Sequence, residues 1–185
     1  MKNLFPALLL AAALAPAAHA TVFTQVQPDK SSIDFSYSQM GVPMDGRFRK
    51  FASQLSFDPA QPASARVAID VDLGSIDTGT PELDGEAAGP DWFNLASFPT
   101  ARFVATSVKP LGGNRYSVPG KLTIKGKSKD IVVPATFTAQ GKNGVFTGQF
   151  VIRRGDFSIG SGAWAAFDIV ANDVTVKFRI TATGK

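Results

Sequence analysis

The chain has 185 residues, a formal net charge of +4 and no cysteine; 44% of its residues are hydrophobic and 18% are charged. That length holds one domain with a sizeable core, and the composition is too apolar for a disordered chain. The absence of cysteine excludes disulfide frameworks, thiolate metal sites and thiol nucleophiles.

Residues 1–20 read as a secretory signal. Lys2 is the positive start, Leu4 to Leu14 form an apolar stretch broken by Pro6, and Ala18-His19-Ala20 is a small-x-small cleavage site. The stretch is shorter than the roughly 20 residues that span a bilayer. Cleavage would leave one domain, 21–185, in the periplasm, with its charge reduced to +3 by loss of Lys2. His19 is the only histidine, so the mature chain would have neither His nor Cys. Ser-His-Asp triads, Cys-His pairs and His-based zinc or copper sites then drop out. No catalytic residue, cofactor or metal is expected.

From Thr21 onward the pattern has period two, as in strands with one buried face. Ile33, Phe35 and Tyr37 alternate with polar residues. Phe51, Leu55 and Phe57 share a face with Ser53, and Val67, Ile69, Val71 and Leu73 share another. Thr80-Pro81-Glu82 reads as an N-cap, a proline at the first helical position and an acidic first turn, with Gly89-Pro90 as the stop. Pro90 to Asn94 is read as a further helical turn carrying Trp92 and Phe93. Strands resume at Phe103–Ala105, Tyr116–Val118, Leu122–Ile124, Ile131–Val133 and Phe146–Ile152. The last run, Val174, Val176, Phe178 and Ile180, opposes Thr175, Lys177, Arg179 and Thr181. Gly, Pro and Asn clusters separate the runs, and the short connections favour antiparallel neighbours.

About eight one-faced strands can bury that face in a closed barrel or a two-layer sandwich. Long strands joined by hairpins favour the barrel. Such a barrel is either filled by its own side chains or holds a small ligand. Ala105, Gly148 and Ser53 on the inward face are read as leaving room; ordinary packing is the alternative.

The ordered segments Ser32-Ile-Asp-Phe35, Met40 to Phe48, Leu55-Ser-Phe-Asp58, Ile69 to Gly79, Pro90-Asp-Trp-Phe93, Phe98 to Phe103, Gly120 to Gly126 and Arg154-Gly-Asp-Phe-Ser-Ile-Gly160 carry a resemblance. Together they resemble the YceI-like family of secreted bacterial polyisoprenoid-binding proteins over the whole mature chain. The resemblance implies an all-β fold: an extended eight-stranded antiparallel lipocalin-like barrel, with the helical segment around residues 80–95. It also implies an isoprenoid or other lipophilic small molecule in an apolar lumen. Two histidines common in that family are absent: Gln39-Met40-Gly41 and Leu83 to Ala87 stand in their place. The Met40-Gly-Val-Pro43 form resembles a subgroup encoded beside cytochrome b561-like membrane proteins. That implies quinone-type lipids or an electron-transfer partner.

The expected lumen lining is Phe35, Tyr37, Phe48, Phe51, Phe103, Leu122, Ile124, Phe137, Phe150 and Phe178, with Trp92, Phe93 and Trp164 near one end. Each also has a plain reading as core packing. Lys121, Lys125, Lys127 and Lys129 cluster around one turn, read either as solubilising residues or as a patch for an anionic surface or head group. No basic stripe interleaved with aromatics points to nucleic acid. Asp70 and Asp72 share the outward face of one strand, which is no setting for paired-carboxylate catalysis. Burying about fifteen carbons at ~0.8 kcal/mol each yields on the order of 12 kcal/mol before ordering costs. An accessory module with a filled core and an enzyme acting on isoprenoid lipids are the other readings. A homodimer is among the assemblies left open.

Overall fold

The computed structural model describes residues 21–184, so the expected signal segment lies outside the described residues. Twelve strands among them form one antiparallel sheet. In chain order they are β1 (Phe23–Val26), β2 (Ser32–Gln39), β3 (Val42–Phe48), β4 (Phe51–Ser56), β5 (Arg66–Asp72), β6 (Ile76–Asp77), β7 (Thr100–Ala105), β8 (Lys109–Gly112), β9 (Arg115–Ile124), β10 (Lys127–Gln140), β11 (Asn143–Arg153) and β12 (Asp173–Gly184). One α-helix, α1 (Pro81–Ala88), lies between β6 and β7.

Adjacent strands follow the path β4-β5-β7-β9-β10-β11-β12-β2-β3-β6. The two ends of the long part of this path, β4 and β3, are consecutive in the chain, separated only by Arg49 and Lys50. The sheet therefore curls until one bent segment, 42–56, serves as both first and last wall. Backbone bonds fix the bend: Arg49 N donates to Ser75 O at 3.0 Å and Asp72 N to Lys50 O at 3.1 Å. At the opposite rim β1, paired with β12, closes onto the end of β4, where Phe23 and Phe57 exchange N–H···O bonds of 2.8 and 3.0 Å. No ladder joins β3 to β4: β4 pairs with β5, and β3 with β2 and, at Arg47 and Phe48, with β6, so the bent chain and the rims bring the two ends together.

Counted strand by strand, the structure differs from the expected eight. β3 and β4 act as one wall, and β1, β6 and β8 are short additions at the rims. The periodicity did not single out β1, β3, β6 or β8. In β3, Val42, Met44 and Phe48 alternate with Pro43, Asp45 and Arg47, but Pro43 and Gly46 blur the pattern; its pairing is fixed by the turn before it. Met40 and Gly41, with φ of 48° and 79°, make the two-residue left-handed turn that matches strand twist. The segments Tyr116–Val118 and Leu122–Ile124 belong to a single strand, β9.

The helix forms where its caps place it. Thr80 has extended backbone and its side chain accepts from Leu83 N; Pro81 follows, and Gly89 stops the helix. Pro90 to Asn94 is not the helical turn expected. Trp92 N and Asn94 N both donate to Gly89 O, and Asn94 turns left-handed with φ of 52°. Linked turns press Trp92 and Phe93 against the barrel end instead.

The inward glycines do not leave gaps. Gly148 pairs directly with Phe178, and a Cβ there would lie 2.6 Å from the Phe178 ring tip. Gly120 is covered in the same way by Phe103, and Gly46 by its cross-strand partner Phe35. A glycine lets the neighbouring phenyl lie flat along the wall instead of projecting inward. The expectation that Gly148 itself opens space is thus corrected. The space is created further along, because the ring is folded onto the sheet.

Candidate ligand cavity

One end of the barrel is plugged. Phe57 packs against Tyr116, Phe137 and Phe146 at centroid distances of 5.3, 5.0 and 5.1 Å, and Phe23 meets Phe137 at 5.2 Å. Edge-to-face contacts of this kind make a dense stopper. A second apolar cluster around Leu73, Leu122, Ile152 and Phe157 forms near the helix side.

Between the two clusters runs a cavity of about 300 Å³ with an almost wholly apolar lining. It lies at the lower end of the ~300–1,000 Å³ typical of ligand pockets. Phe35, Tyr37 and Phe48 line it from β2 and β3, Phe103, Leu122 and Ile124 from β7 and β9, and Phe150 and Phe178 from β11 and β12. Trp92, Phe93 and Trp164 line its helix end. Phe103, Phe150 and Phe178 retain partial exposure although they lie on the inner face of the sheet, because they border open lumen. Glu86 lines the cavity and is solvent-exposed, so the lumen reaches the surface beside α1.

Two expected residues lie elsewhere. Phe137 is only 4% exposed, locked in the aromatic plug, because β10 carries it past the lumen to the sealed end. Phe51 follows the Arg49–Lys50 bend, where the wall turns, and is outside the lining. The aliphatic lining, such as Ile33, Ile69, Val71 and Val176, carries the same period-two signal but was passed over in favour of aromatics.

Sequence reasoning also missed the polar members, Gln39, Thr78, Glu86 and Arg154. Arg154 is 1% exposed. Its guanidinium donates to six backbone carbonyls, those of Ile159, Gly160, Trp164, Ala166, Val170 and Ala171, at 2.7–3.3 Å. Its Cζ lies 4.9 Å from the Phe167 ring centre and 5.7 Å from that of Trp92. Burial pushes its pKa down, yet a guanidinium stays charged at any ordinary pH. Gly160, at φ of 76°, has no room for a side chain beside this cation. The Arg154-to-Gly160 motif is therefore a clamp that shapes the 159–171 loop over the barrel end.

The lysine cluster is split among separate tasks. Lys125 Nζ donates to Pro90 O at 2.8 Å and Ser158 O at 2.9 Å, tying the Trp92 segment to the Arg154 loop. Burial is the main cause that lowers its pKa, against the opposing pull of Asp91. Lys127 donates to the Ser158 hydroxyl, and Lys121 pairs with Asp130 on the outer face. Asp91 completes the brace: its carbonyl accepts from Gly160 N and Ser161 N at 2.8 and 2.9 Å. Asp70 is taken by Arg102 in a two-oxygen ion pair outside the barrel.

Within the lining, burial raises the Tyr37 pKa. Trp164 Nε1 donates to Glu86 Oε1 at 2.7 Å. The Trp92 Nε1–H, shielded from solvent, has no partner among the described residues. Leaving such a donor unpaired costs about 1–3 kcal/mol.

The model of the YceI-like domain matches residues 25–182. The chain belongs to the YceI-like family. A UPF0312 protein of Pseudomonas savastanoi is 31% identical over 169 residues, covering 86% of this chain and 88% of the relative. A UPF0312 protein of Pseudomonas fluorescens is 35% identical over 137 residues, 68% and 69% of the two chains. The crystal structure of BcnA from Burkholderia cenocepacia superposes with a TM-score of 0.84 at 40% identity, covering 86% of this chain and all of that one. At 16% identity, a polyisoprenoid binding domain from Saccharophagus degradans shares the fold with a TM-score of 0.70 over 90% of this chain and 99% of its own. The YceI-like barrel read from the periodicity and the resemblance is thus the fold observed, with a different strand count.

Proposed function

We propose that this YceI-like protein carries or sequesters a long isoprenoid or similar lipophilic chain in its lumen, without catalysing a reaction on it, in the periplasm after export. The observation that carries the reading is the apolar cavity itself: a filled-core accessory module would have no use for a lined, surface-reaching void. Apolar voids are costly to keep, since each loses packing contacts and transfer energy. The polyisoprenoid-binding description of the Saccharophagus domain supports the same ligand class. In its narrowest form the ligand is a quinone-type lipid handed to a cytochrome b561-like membrane partner.

Burial of about fifteen carbons supplies ~12 kcal/mol, and ordering removes several. The remainder is near the ~8 kcal/mol of a micromolar complex. Affinity should follow chain length and tolerate varied chemistry, because apolar burial is non-directional.

Delipidated protein titrated with polyprenols of increasing length, read by displacement of an apolar dye, tests the proposal. Micromolar or tighter binding that strengthens with length is expected. Val176→Trp, which places an indole in the lumen, should remain folded and lose dye uptake. Equal uptake by both proteins, or none by the wild type, contradicts the reading.

A further inference from the structure

At the helix end the lumen holds two indoles in contact, 5.7 Å between ring centres, with unequal fates. Trp164 spends its N–H on Glu86. Trp92, also in the lining, has a solvent-shielded N–H with no partner among the described residues. Beside it lies the Arg154 cation, with no carboxylate partner among the described residues and its own N–H groups all given to backbone carbonyls. Arg154 has nothing left to donate to a ligand, but its charge makes this end electropositive.

We propose that Trp92 Nε1 is the recognition point for a hydrogen-bond-accepting oxygen at the polar end of the ligand, an inference that rests on the lumen-binding reading above. The ligand is then an apolar chain ending in a hydroxyl, carbonyl or phosphate oxygen, seated with that end toward α1 and its tail toward the phenylalanine plug. A cationic head group is disfavoured by Arg154. The donor is shielded as the ring stands, so pairing requires the indole to turn or its cover to give.

The proposal separates cleanly from burial alone. A hydroxyl stripped of water without a new partner weakens binding relative to the bare hydrocarbon. Preference for the alcohol therefore marks a waiting donor. Farnesol and farnesene, matched in chain, are to be compared on wild type and Trp92→Phe by dye displacement. Wild type should prefer farnesol about five- to tenfold, the worth of one hydrogen bond, and the ratio of the two affinities should fall to about one in the variant, whatever the smaller ring does to both. A circular dichroism spectrum and urea midpoint matching the wild type show that the variant is folded. In the wild type, the Trp92 indole N–H resonance should shift downfield with farnesol and not with farnesene, a readout that needs no variant. An unchanged preference in Trp92→Phe, or no preference in wild type, overturns the proposal while the lumen reading stands. Failure of both compounds to bind either protein overturns both.

Discussion

Arg154 shows how one side chain can set the shape of a binding site while all its donors go to the protein's own backbone. Six carbonyls from a stretch of thirteen residues converge on it, so the 159–171 loop has its conformation only while the guanidinium is there. Removing it leaves those carbonyls buried and unpaired, each at about 1–3 kcal/mol before relaxation. Arg154→Ala is expected to lower stability in urea denaturation by about 3–5 kcal/mol, among the larger losses a single substitution causes. Arg154→Lys keeps the charge but has three donors on one nitrogen and no planar fork. It should recover part of the loss, not all. If Lys restored full stability, charge alone would be the cause and the carbonyl clamp would be wrong. The motif around Arg154 was visible in the sequence as a family element, but its role was not. No local pattern shows that a charged residue next to an exposed twin, Arg153, will be 1% exposed.

Among the elements, the strands owe their inward faces to alternation and their lumen to glycine. β12 was legible because its two faces differ at every position over Val174 to Ile180. β3 was not, because its inward positions include Gly46 and its neighbours are polar; the turn and the register with β2 decide it. Helix α1 was legible through its caps rather than its face, since its apolar and polar residues barely segregate and only Ala87 is buried. The flat phenyls are a tertiary property, invisible until β11 and β12 are aligned. Gly148→Ala tests this link. The new methyl must displace Phe178 from the wall or strain β10, whose Pro134 carbonyl also crowds the site. Overpacking of this kind costs about 1–3 kcal/mol. The variant should therefore melt lower and also bind long chains more weakly, because a displaced ring narrows the lumen. A loss of stability with chain binding unchanged would mean the ring does not shape the cavity.

For the whole molecule, closure is the decisive property: chain segment 42–56 is both ends of the sheet, one mouth is stoppered by rings, and the other is covered by α1 and a clamped loop. Composition and periodicity could point to a one-faced β fold, and the family resemblance to a barrel. Neither could say that the interior encloses a cavity, because lumen lining and packed core carry the same apolar pattern. The lining residues chosen from sequence illustrate the limit. Phe137 and Phe150 look alike in their strands, yet one ends in the plug and the other in the cavity. The measurement that reaches the central claim most directly is native mass spectrometry of the protein purified from its own host, followed by solvent extraction of whatever it holds. The account predicts a stoichiometric adduct that extracts as a polyprenyl-type chain ending in an oxygen function. A protein that flies at its bare polypeptide mass, and yields no lipid on extraction, would contradict it.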